Sequence, residues 1–96
     1  MNDLVITGRQ PVAPLSDAIL VAACALDIWE CWAHEDRYHF ALGGGWTLAL
    51  SSDSADRIRV ETCRLTRTMD TMWASSHRSD RLASLVRKMS TVPEAA

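Results

Sequence analysis

Apolar positions change their spacing along this 96-residue chain, and each change marks an element. Residues 1–13 hold one short apolar patch, Leu4-Val5-Ile6, followed by Thr7-Gly8, Pro11 and Pro14. That composition predicts an N-terminal arm or edge strand which the prolines stop from continuing. Over 15–35 the pattern is helical. Asp27, Glu30 and His34 fall at i, i+3 and i+7 on one stripe, with Ser16 placed as the N-cap and Asp17 in the first turn. Leu20 and Ala23 fill that stripe in the first half, which is therefore apolar all round. A helix of that kind has to be enclosed, by its own fold or by a partner.

From residue 37 the period becomes two. Tyr38, Phe40 and Leu42 alternate with His39 and Ala41; Trp46, Leu48 and Leu50 alternate with Thr47 and Ala49; Ile58 and Val60 alternate with Arg57, Arg59 and Glu61. Gly43-Gly44-Gly45 and the segment 51–56 supply turns. These are antiparallel strands within 37–74, the last of them over 68–74, where Leu65-Thr66-Arg67 is an unusual turn for lack of Gly, Asn or Pro. Trp46 and Trp73 are expected on inward faces. A second helix over 76–89, capped by Ser75 or Ser76, presents Leu82, Leu85, Val86 and Met89 to the sheet, and 90–96 reads as a flexible tail. The prediction is an α+β fold in a single small domain (1–96), ordered α-β-β-β-(β)-α, with an antiparallel meander packed by two helices.

Charge adds an asymmetry. Residues 1–56 carry two Arg against eight acids, a balance of −6, and residues 57–89 carry eight basic residues against three acids, a balance of +5. Such a division suits self-pairing or an acidic partner. Nine Arg against one Lys, with thirteen Ala, points to a GC-rich bacterial or phage genome.

Three cysteines without a C-x-x-C motif suit a reducing, cytoplasmic setting. Val21-Ala22-Ala23-Cys24 resembles the small-residue box before a lipidated cysteine. Pro14, Ser16 and Asp17 break the apolar run that a leader would need, so a soluble protein without membrane attachment is expected.

Catalytic chemistry is thinly represented. Cys31 and His34 have the spacing of a zinc-ligand pair on a helix, to be completed by Cys63, His39 or His77. Asp27 and Glu30 are candidate paired carboxylates beside His34. No glycine-rich loop leads into a helix, and no catalytic residue, metal site or cofactor is assigned. Arg57, Arg59, Arg78, Arg81 and Lys88 form a candidate basic patch. The order helix, three strands, helix resembles that of double-stranded-RNA-binding domains. The lysine cluster such domains carry at the last helix is absent, and the pI is about 5.8.

Leu20, Ala23, Trp29 and Trp32 are the candidate partner-binding residues, since aromatic anchors are enriched in interface cores. The expectation is a non-enzymatic regulatory or protein-interaction module, working as a homodimer and on a further protein. The alternatives are a nucleic-acid-binding regulator using the basic half, then a small zinc protein or enzyme around Cys31 and His34.

Overall fold

A computed structural model describes residues 3–91, so the tail expected at 90–96 lies almost wholly outside the described residues. Eight elements follow one another: β1 (Val5–Thr7), α1 (Leu15–Leu26), β2 (Glu30–His34), β3 (Arg37–Gly43), β4 (Trp46–Ser54), β5 (Arg57–Arg64), β6 (Arg67–Ser75) and α2 (Ser79–Met89). The strands make one six-stranded sheet in sequence order. β1 pairs parallel with β2 across the α1 crossover, and every other pairing is antiparallel. The α+β class and the two-helix, meander arrangement are as the sequence predicts, with one strand, β2, in place of the second half of the first helix.

The helix expected over 15–35 ends at Leu26. Asp27 adopts φ 55° and ψ 41°, a left-handed conformation that terminates a helix, and its N–H bonds the Ala23 carbonyl. Asp tolerates this conformation because its short polar side chain bonds locally; here Asp27 Oδ1 accepts 3.0 Å from Trp29 Nε1. The chain then straightens, and Glu30, Trp32 and His34 point to one side of the sheet while Cys31 and Ala33 face the other. The Ser16 cap is also corrected. Pro14 occupies the cap position and no side chain bonds there. The second helix begins at Ser79 rather than 76, with Arg78 before it.

Both helices lie on one face. α1 contributes Leu15, Ala18, Ile19, Ala22 and Ala23 to the core, α2 contributes Leu82, Val86 and Met89, and the sheet supplies Tyr38, Phe40, Leu48, Leu50, Ile58 and Val60. The apolar sets of β3, β4 and β5 thus face the helices. α1 and α2 touch each other; α1 also lies over β4, and α2 over β5 and β6. Tyr38 brings its hydroxyl to the edge of this core and donates to the Arg9 carbonyl at 3.2 Å. No helix among the described residues is long and apolar enough to cross a membrane.

Four two-residue turns join the meander, at 35–36, 44–45, 55–56 and 65–66. Gly44 and Gly45 meet the third strand's return with φ 62° and 83°. Leu65 takes φ 57°, which few side chains adopt, and its N–H bonds the Gly45 carbonyl at 2.8 Å. The β5–β6 hairpin therefore forms without the turn residues whose absence made it hard to foresee.

Candidate interaction surface

The sheet presents its second face without a helix. The central strand β4 places small side chains there, Thr47, Ala49 and Ser51, and these floor a trough. Arg37, on β3, reaches across β4 to Glu61 on β5 (Nη1 to Oε2, 3.5 Å) and to Thr68 on β6 (3.4 Å). Thr68 in turn donates to Glu61 Oε2 at 3.1 Å. Glu61 and Ser51 are buried, and Glu61 Oε1 and the Ser51 hydroxyl have no hydrogen-bond partner among the described residues. Beside this strap Trp32 stacks on His39 with ring centroids 5.6 Å apart, and His39 Nδ1 meets Thr47 Oγ1 at 3.3 Å. Burial, then the neighbouring Arg37 and His34 charges, lower the His39 pKa below its usual value. A polar hollow of about 570 Å³ lies over Trp32, His34, Arg37, His39, Thr47 and Cys63.

Farther along the same face Asp53 accepts from Arg57 at 2.7 Å and from Arg59 at 2.8 Å. These two hydrogen bonds depress its pKa. Arg57 lies 5.4 Å over the Trp73 ring, so Trp73 is 47% exposed rather than in the core. Trp46 does lie on the inward, helix-side face, but it is half-buried rather than in the core, with Arg64 5.6 Å over its ring.

A second feature lies on the helix side, along the seam where α2 meets the sheet's last strand. The cleft between α2 and β6 holds about 300 Å³ at one end, lined by Trp46, Thr62, Met69, Asp70, Met72, Leu85, Lys88, Met89 and Thr91. Through Leu85 it continues to Arg81, Ser84 and Ala74, where a further hollow of about 480 Å³ opens. Met69 and Met72 are 52% and 40% exposed. Arg81, Leu85 and Lys88 fall at i, i+4 and i+7, so one flank of α2 sets two cations around an apolar centre. Arg64 and Arg67 are directly opposite each other at the end of the β5–β6 hairpin, where Arg64 lies over Trp46 of the cleft. Beyond β6 nothing among the described residues continues the sheet, so its outer edge is open over nine residues.

The four residues expected to bind a partner are dispersed. Ala23 is in the core; Leu20 is 48% exposed on the outer side of α1; Trp29 is half-buried at the α1–β2 junction; and Trp32 is on the opposite side of the sheet. The expected basic patch divides as well. Arg57 and Arg59 are held by Asp53 on the open face, and Arg78 is held by Asp80 at 3.0 Å, whereas Arg81 and Lys88 flank the cleft. Cys31 and His34 cannot form the zinc pair that their spacing suggests on a helix. Three apart on a strand, they face opposite sides of the sheet, with Cys31 in the core and burial raising its thiol pKa to about 11. Asp27 ends α1, while Glu30 and His34 are exposed on β2. His77 pairs with Asp56 at 2.9 Å, away from both. Among the described residues no three His, Cys, Asp or Glu side chains are grouped to hold a metal ion.

The chain matches no family model, no curated protein and no solved structure. The cleft residues Met69, Met72 and Leu85 carry only ordinary strand or helix patterning in the sequence. The one local signal for the cleft is the i, i+4, i+7 placement of Arg81, Leu85 and Lys88.

Proposed function

We propose that this protein is a non-enzymatic interaction module that works as a homodimer, joined through the outer edge of β6. The open nine-residue β6 edge carries the reading. A strand edge of that length is a template for pairing, and proteins that stay monomeric blunt such edges with lysines, prolines or short strands. β6 has neither lysine nor proline, and its one bulge, at Met69, leaves Asp70–Ser75 regular, while the opposite edge, β1, is only three residues long and is followed by Pro11. An antiparallel pairing about a twofold axis at Thr71 sets Asp70 against Met72, so no like charges meet beside the axis.

The test is the oligomeric state by sedimentation and light scattering. The wild-type protein is expected as a dimer. Thr71→Lys, which opposes two ammonium groups at the axis, is expected as a monomer with an unchanged circular dichroism spectrum. A wild-type chain that stays monomeric at millimolar concentration refutes the proposal.

Nucleic-acid binding is the second reading. What favours it is the set Arg64, Arg67, Arg81, Arg87 and Lys88, for which there is no ion pair among the described residues. It requires binding to DNA or RNA that weakens steeply as salt rises. Absence of binding at low salt ends it.

A further inference from the structure

We infer that the α2–β6 cleft is a docking groove for an acidic peptide segment of another protein, anchored by apolar side chains. The groove is complete within one chain, so the inference does not rest on the dimer. Its lining is apolar and adaptable: Met69, Met72 and Met89 join Trp46 and Leu85. Methionine-rich surfaces accommodate varied apolar side chains because the thioether chain is unbranched and polarisable. The 300 Å³ end is at the small limit of ligand pockets and suits one or two anchoring side chains better than a whole small molecule. α2 spans eleven residues, about 16 Å at the helical rise, and this sets the length of segment that can lie along it.

Charge selects the sign of the partner. Arg64 stands over Trp46 at one end, and Arg81 and Lys88 flank Leu85 along α2. None of the three has an acidic partner among the described residues. Arg64 and Arg67 oppose each other across the hairpin, a like-charged pair that costs stability unless an anion lies between them. Asp70 is on the groove wall, where its Oδ1 accepts from the Thr71 N–H, and Asp80 is occupied by Arg78. Carboxylates on an incoming segment would meet the three unpaired cations, and its apolar side chains would cover the methionines.

The experiment is fluorescence anisotropy with a labelled amphipathic peptide of Leu and Glu, against one with Lys for Glu and one with Ser for Leu. The Leu/Glu peptide is expected to bind, and each control to bind at least about tenfold more weakly, a difference of about 1.4 kcal/mol. Leu85→Gln and Lys88→Ser, whose circular dichroism should be unaltered, are each expected to weaken binding several-fold. Thr71→Lys should leave peptide binding intact, which separates this groove from the dimer edge. Equal binding of all three peptides overturns the inference. So does retention of full affinity by both groove variants, displacement of the peptide by nucleic acid, or competition between peptide binding and self-association.

Discussion

Arg37 is the residue that organises the helix-free face. Its side chain crosses β4 to join β3, β5 and β6 through Glu61 and Thr68. β4 carries small side chains, Ala49 and Ser51, between Arg37 and Glu61 on this face. Removing one partner leaves the other charge with reduced solvation, and the cost is larger than the value of the pair itself. Arg37→Met and Glu61→Met are each expected to destabilise by about 1–3 kcal/mol. The double variant should lose less than the two combined, by a coupling of at least about 0.5 kcal/mol measured in chemical denaturation.

His39 beside this strap gives the face a pH response. Its pKa is lowered in the folded protein, so the unfolded chain binds the proton more readily. The stability this contributes is complete above the unfolded-state pKa of about 6.5 and is lost as pH falls through the lower folded value. The melting temperature is expected to drop from pH 7.5 toward pH 5, and His39→Gln should flatten that slope. Asp53, whose pKa is also depressed, acts in the same direction only at more acid pH, in the carboxylate range.

Among the elements, three turns rest on non-glycine residues with positive φ: Asp27, Glu35 and Leu65. Leu65 is exposed and holds φ 57° in the β5–β6 hairpin, a conformation that costs an ordinary side chain about 1–2 kcal/mol. Leu65→Gly relieves that cost against the extra freedom of an unfolded glycine. The expected net is a gain of up to about 1 kcal/mol, seen as a higher denaturation midpoint.

Asp27 is the converse case. Its conformation and its bond to Trp29 end α1, and the change to β2 that follows was not legible in the sequence. The stripe Asp27, Glu30, His34 has helical spacing, and Trp32 disguises the strand because a tryptophan on a solvated sheet face breaks the expected alternation. Where apolar inward positions alternate with polar outward ones, as over Tyr38–Phe40 in β3 and Arg57–Glu61 in β5, the strands could be read directly. The cleft could not, because it arises from where α2 comes to rest relative to β6, a matter of tertiary packing.

For the whole molecule, the division of charge acquires a location. Among the basic residues of 57–89, Arg57 and Arg59 share Asp53 on the open face and Arg78 pairs with Asp80, whereas Arg81 and Lys88 line the α2–β6 cleft with no acidic partner among the described residues. The two proposed surfaces adjoin along β6 yet use different atoms: backbone groups for the twofold pairing, side chains for the groove. If the dimer forms, its melting temperature should rise with protein concentration. That dependence should vanish in Thr71→Lys, as differential scanning calorimetry over a range of concentrations would measure.

The sheet's strand order also carries a consequence for how the molecule comes into being. Each strand lies beside its neighbour in sequence, and the hairpins close through two-residue turns, so most pairings are made between nearby segments. Local pairing of this kind keeps the entropy cost of loop closure small and favours rapid folding. On a ribosome the β1–α1–β2 unit and the first hairpins emerge before β6 and α2. The cleft is therefore assembled from the last described segments to be synthesised, and α2, which must return to touch α1, completes it. Until α2 arrives, Ile58 and Val60 of β5 lack their cover, and the nascent chain exposes its apolar surface beside the site where the finished protein is proposed to bind its partner.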